Sequence, residues 1–126
     1  MPQINDLTVV IADRHPLIRN VIKEIVQHAG YNVVAEAANG TALLELQQNA
    51  AVPLVFIINT KLPDTDDLDI CLTLRQHYPG CKILAFSFSP NPYTEALLQR
   101  YDLDAYIHEF NVPNQLTDAL QQLSTS

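Results

Sequence analysis

Short apolar runs, each cut off by a polar or turn-forming residue, alternate along this chain with stretches whose apolar residues recur every three or four positions. Leu7-Thr8-Val9-Val10-Ile11-Ala12 is the first run, ended by Asp13-Arg14-His15-Pro16. Leu17, Ile18, Val21, Ile22, Ile25 and Val26 then recur at helical spacing; Pro16 suits a first helical turn and Gly30 stops the pattern. Val33 to Ala37 predicts a weaker strand, and Asn39-Gly40 opens a second helix with Leu43, Leu44 and Leu46 on its apolar side. Phe56-Ile57-Ile58-Asn59-Thr60-Lys61-Leu62-Pro63-Asp64 closes the run that begins at Leu54, and it reads as the central strand. Such runs, bounded by turn signals, are those of strands buried on both faces of a parallel sheet. Asp66 is the expected cap of a third helix, with Asp69 in its acidic first turn, and Leu68, Cys71, Leu72, Leu74 and Arg75 carry it to Tyr78-Pro79-Gly80. Lys82 to Ser87 predicts a fourth strand and Asn91-Pro92 a fourth helix, with Ala96, Leu97 and Tyr101 inward. Ala105-Tyr106-Ile107 predicts a fifth strand, and Pro113 a fifth helix burying Leu116, Ala119, Leu120 and Leu123.

Five alternations of strand and helix imply right-handed crossovers and a doubly wound, five-stranded parallel sheet with helices on both faces. Glu36 in the second strand suits a sheet edge, as in the flavodoxin-like order 2-1-3-4-5. That order sets the ends of strands one and three side by side, so Asp13, Arg14 and Asn59 are expected to share one cleft.

At 126 residues, residues 1–126 form one domain in this reading, long enough to bury about two-thirds of the unfolded surface. No apolar run approaches the roughly 20 residues that cross a bilayer, and Met1-Pro2-Gln3-Ile4-Asn5-Asp6 lacks the blocks of a signal peptide; a cytoplasmic protein without membrane contact is expected. The net charge is −7 and the 7 basic residues stand singly, which excludes a phosphate-neutralising stripe and hence nucleic-acid binding by this chain. Cys71 and Cys81 lack C-x-x-C spacing and read as two reduced thiols. His15, His28, His77 and His108 are dispersed, so no metal site is expected. The acidic run Asp64, Asp66, Asp67, Asp69 lacks the glycine and distal glutamate of an EF-hand. Asp13-Arg14-His15-Pro16 has no Ser, Thr and Gly to cradle a phosphate, against a flavin-binding flavodoxin. Ser87 has no evident partner base for nucleophilic catalysis.

The pattern resembles a bacterial response-regulator receiver domain over essentially the whole chain. Ile11-Ala12-Asp13-Arg14-His15-Pro16-Leu17-Ile18-Arg19 is similar to the opening of receivers that carry a LuxR-type helix-turn-helix output; Leu62-Pro63, Ser87 and Ala105-Tyr106 add to the likeness. In that family an aspartate ending strand three takes a phosphoryl group from a histidine kinase. Mg²⁺ is held by that aspartate, by acids ending strand one and by a turn carbonyl, while a Ser or Thr and a Lys contact the phosphoryl oxygens. A carboxylate oxygen can attack phosphorus, and a hard cation offsets the charge gathered there.

Carried over residue by residue, the resemblance implies a degenerate pocket of Asp13, Arg14, Asn59, Lys61, Ser87 and Glu109, with Tyr106 at the position of the family's switch aromatic. The acceptor position holds an amide, Asn59; one acid of the pair has become Arg14; the lysine position holds Glu109. An ion pair of Arg14 with Glu109, or with Asp13, is expected in the metal's place. The resemblance thus implies a pseudo-receiver: no enzyme, no cofactor, no metal, but a module of two-component-type signalling that binds a protein partner or itself through the fourth helix, fifth strand and fifth helix. Tyr93, Tyr101, Tyr106 and Phe110 are candidate anchors there, and in similar proteins a DNA-binding output domain begins past the last helix. The competing expectation is a working phosphoacceptor domain using Asp13, Asp64 or Asp66 as substitute.

Overall fold

The computed structural model describes residues 7–46, 54–64, 68–88, 93–107 and 113–125. Its elements are β1 (Thr8–Ala12), α1 (Pro16–His28), β2 (Asn32–Ala37), α2 (Gly40–Glu45), β3 (Leu54–Asn59), α3 (Asp69–His77), β4 (Lys82–Phe86), α4 (Thr94–Arg100), β5 (Ala105–Ile107) and α5 (Pro113–Thr125). The strands are all parallel and lie in the order β2-β1-β3-β4-β5. Ala12 stands beside Ile58, and Asn59 beside Phe86, so the ends of the three central strands are level.

Alternation along each strand divides the core into two layers. Val10, Ala12, Phe56, Ile58, Ile83 and Ala85 face Leu43, Cys71, Leu74 and Tyr101 of the α2–α4 side. Val9, Ile11, Val55, Ile57, Leu84 and Phe86 face Ile22, Val26, Leu116 and Leu120 of α1 and α5. Phe56 also meets the Tyr78 ring at 5.4 Å. The β2 edge is irregular: the register against β1 slips between Val9 and Val10, leaving Val34 unpaired and exposed. A bulged edge strand is a poor template for further pairing.

The apolar spacing over-predicts burial on the helices. Leu17 and Val21 of α1 are 79% and 48% exposed, and only Ile22 and Val26 are fully inward. Six apolar positions in ten residues span a wider arc than one face of a sheet can cover. Leu44 of α2 and Leu72 of α3 likewise point outward, with Leu43 and the trio Ile70, Cys71 and Leu74 inside. In α4 the inner residues are Leu97 and Leu98, and Ala96 is exposed. The third helix starts at Asp69, preceded by Leu68, which makes no side-chain cap; the expected caps Asp66 and Asn91-Pro92 lie outside the described residues. No helix among the described residues is long and apolar enough to cross a membrane.

Candidate functional site

The level strand ends put Asp13 and Asn59 in contact. Asp13 follows β1 and is fully buried; its N–H continues the ladder to Ala37 O at 3.0 Å. Asn59 closes β3, and its Nδ2 donates to Asp13 Oδ2 at 2.7 Å while its Oδ1 accepts from the Lys61 N–H at 2.8 Å. The other Asp13 oxygen accepts from the His15 N–H at 2.7 Å and lies 3.3 Å from His15 Nδ1. His15 Nε2 in turn accepts from Arg14 Nε at 3.3 Å. A buried carboxylate must be hydrogen-bonded, and here an amide and a backbone N–H meet that need, one on each oxygen.

Sequence reasoning did not single out two participants. Arg19 Nη1 donates to Asp13 O at 2.7 Å, and Arg19 Nε pairs with Glu36 at 3.2 Å, which Lys23 also approaches at 3.5 Å. The signal was present in the charge pattern: Glu36 on an edge strand calls for cations on the neighbouring helix. His15 carries no role of its own in the sequence reading, although the Asp-x-His spacing allows an Asx-type turn with the ring folded back toward the carboxylate.

The expected Arg14–Asp13 ion pair is not formed. Arg14 is exposed and, among the described residues, makes no ion pair; its guanidinium turns to the His15 ring. Each Asp13 oxygen already accepts from a neutral donor, which needs less desolvation than a guanidinium would. Glu109, and with it the Arg14–Glu109 alternative, lies outside the described residues. Lys61 is exposed and Ser87 buried, the latter fixed through its N–H to Ile107 O at 2.9 Å. Tyr106 is partly buried, packed on the α2–α4 side of the core.

Asp64 stands apart from this cluster. In a left-handed backbone conformation, φ 60°, it reaches across to the start of α2. Its oxygens accept from the Gly40 N–H at 2.8 Å, the Thr41 N–H at 3.2 Å and the Thr41 hydroxyl at 2.5 Å. The Thr41 hydroxyl first, and then the two backbone donors against some desolvation, hold its pKa below the ordinary carboxylate value. Asn39 Oδ1 completes the cap by accepting from the Ala42 N–H at 2.7 Å.

These donors do not suit Mg²⁺, which the resemblance implies for this position. A hard octahedral cation wants several oxygen ligands, whereas the space beside Asp13 is filled by an NH₂ group and an N–H, and the next residue is a cation. Among the described residues no group of His, Cys, Asp and Glu could hold a metal ion. An open groove between α1 and α5, lined by Glu24, Ile25, His28, Ala29 and Thr117, lies away from this cluster.

The model of the response regulator receiver domain family matches residues 9–121. This chain belongs to that family. The receiver is similar to the nitrate/nitrite response regulator NarL of Escherichia coli K12, 27% identical over 116 residues, covering 91% of this chain and 53% of NarL. It is similar to the transcriptional regulatory protein RcsB of the same strain, 25% identical over 124 residues, covering 95% of this chain and 57% of RcsB. The structure of the Salmonella typhimurium RcsB response regulator superposes with a TM-score of 0.82 at 25% identity, over 97% of this chain and 62% of that one. The receiver thus spans about half the length of the curated relatives it matches. Its fold is the flavodoxin-like receiver fold, and it is related to the LuxR-type regulators NarL and RcsB.

Proposed function

We propose that this receiver signals by contact and not by phosphorylation. The observation that carries the reading is the 2.7 Å hydrogen bond from Asn59 Nδ2 to Asp13 Oδ2: where a working receiver has a nucleophilic carboxylate and a metal, this chain has a neutral amide that donates to the remaining acid. A carboxamide is a poor nucleophile toward phosphorus, and the bond between the two strand ends supplies locally what a cation would otherwise bridge. The pocket Asp13, Arg14, Asn59, Lys61, Ser87 and Glu109 is then a degenerate phosphoacceptor site with no catalytic role. The chain acts as a protein-interaction module in two-component-type transcription regulation, with α4, β5 and α5 as the partner face and Tyr106 on it. A DNA-binding domain following residue 126 in the parent protein accords with the half-length match to NarL and RcsB.

The substitute-acceptor reading has less support. Asp13 is buried with both oxygens engaged, and both Asp64 oxygens hold the start of α2; Asp66 lies outside the described residues. Incubation with acetyl phosphate and Mg²⁺ followed by intact mass is expected to show no adduct; a stoichiometric phosphoryl adduct overturns the proposal. Restoration is the stronger test. Asn59→Asp alone is expected to stay unable to bind beryllofluoride, and Asn59→Asp with Arg14→Asp and Glu109→Lys to bind it in a Mg²⁺-dependent way.

A further inference from the structure

Asn39-Gly40 is the one place in the chain where a glycine follows an asparagine. Such a pair is chemically labile. The glycine nitrogen can give up its proton and attack the asparagine Cγ, and with no Cβ on the second residue nothing crowds the closing ring. The N–Cγ bond forms, the Cγ–Nδ2 bond breaks, and the leaving nitrogen takes up a proton and departs as ammonia. Water then opens the succinimide to aspartate or isoaspartate. The structure holds both reacting groups back. The Gly40 nitrogen is buried and its N–H donates to Asp64 Oδ1 at 2.8 Å. It must attack as an anion, and a carboxylate this close opposes a second negative charge while keeping the proton in a charge-assisted bond. The Asn39 carboxamide is held too, its Oδ1 accepting from the Ala42 N–H at 2.7 Å with the backbone extended at φ −158° and ψ 176°. Asp64 is secured further by the Thr41 N–H and hydroxyl, in a left-handed backbone that glycine adopts more readily.

We infer that Asn39 is a site of spontaneous deamidation and that the Asp64 carboxylate is the guard that keeps it intact in the folded chain. Conversion proceeds in the moments when Asp64 lets go, so its rate follows the local opening of the turn after β3 away from α2. The isoaspartate product lengthens the main chain by a methylene between β2 and α2. It also withdraws the acceptor that caps the Ala42 N–H, so a modified chain carries a loosened α2. Neither the pocket around Asp13 nor the face of α4, β5 and α5 uses the Asp64 side chain. The inference stands or falls separately from the phosphorylation reading, and it gives this exposed acid in its left-handed conformation a task of its own.

Incubation of the intact chain in warm, mildly alkaline buffer, with peptide mapping by mass spectrometry at intervals, tests this. The parent is expected to convert at residue 39 far more slowly when folded than when unfolded in urea. Asp64→Gly suits the left-handed backbone and removes the clasp; it is expected to convert at least about threefold faster than the parent with an unchanged circular dichroism spectrum. Asp64→Asn, which keeps an acceptor without the charge, is expected to fall between the two. Leu123→Ala, which weakens α5 on the other side of the sheet, is expected to keep the parent's rate at residue 39. That separates a local guard from a general loss of stability. A parent that converts as fast folded as unfolded, an Asp64→Gly chain at or below the parent's rate, or a Leu123→Ala chain as fast as Asp64→Gly would each overturn the inference.

Discussion

At the scale of single residues, the fate of Asp13 decides the character of the site. Its carboxylate is held by Asn59 and His15, and changing the amide to an acid sets two carboxylates against each other in a buried place. Asn59→Asp is expected to lose about 1–3 kcal/mol at neutral pH. The shared proton such a pair takes up raises its folded pKa above the unfolded value, so the lost stability returns on acidification; urea unfolding at pH 7 and pH 5 measures both effects. Asp64 behaves in the opposite sense. Its folded pKa is depressed, chiefly by the Thr41 hydroxyl, so the folded state binds fewer protons than the unfolded one and the carboxylate's contribution is present above its unfolded pKa, about 4. That contribution fades as pH falls through the folded value. Asp64→Asn, which tolerates the left-handed backbone, is expected to flatten the acid limb of stability below about pH 4, seen in thermal melts against pH. The thiols form a third case: burial pushes Cys71 up to about 12, and Cys81 upward as well. Both are expected to resist iodoacetamide at pH 8 in the native state and to react rapidly once the chain is unfolded, as mass spectrometry would show.

At the scale of elements, the helices sort their apolar residues by which side the sheet occupies. Leu74 of α3 is fully buried while Leu72, two positions earlier, is 44% exposed. Leu74→Ala is expected to cost about 2–5 kcal/mol through lost transfer energy and the cavity left behind, and Leu72→Ala below about 1 kcal/mol. Their chemical denaturation midpoints measure the contrast. The carboxyl half of α3 is fastened to β4 and to the turn before β5 by one side chain: Arg75 donates to Cys81 O, to Asp102 O and to Asp104 Oδ2, while Asp104 Oδ2 also accepts from the Ile83 N–H at 2.7 Å. Arg75→Ala leaves two carbonyls and a carboxylate short of a donor, and a loss of about 2–3 kcal/mol is expected. The helix spacing made α1 to α5 legible in order and number, whereas the inner residue of each turn was not. Leu17, Val21, Leu44, Leu72 and Ala96 satisfy the same periodicity as their buried neighbours, and periodicity alone does not say where the sheet stops.

At the scale of the whole molecule, the order β2-β1-β3-β4-β5 follows from the alternation of elements, the charge on β2 and the handedness of crossovers. Each of those is local or general, so the fold, the edge position of β2 and the neighbourhood of Asp13 and Asn59 were all readable from the chain. The identity of residue 59 was equally plain: an amide cannot act as a carboxylate in any surroundings. What the chain alone left open is which polar groups near the strand ends find one another. The expected partner of Asp13 was Arg14, next to it in sequence, yet successive residues leaving a strand point to opposite sides. The amide 46 residues away reaches the carboxylate instead. Asp64 in the same way stands in an acidic run of the sequence, yet it turns back to cap α2 across 24 residues. Composition and periodicity determined the architecture because burial depends on sums over many residues. The pairing of charges and hydrogen bonds at the site was decided by tertiary structure, because it depends on angles and on ångström distances between elements that no local pattern contains.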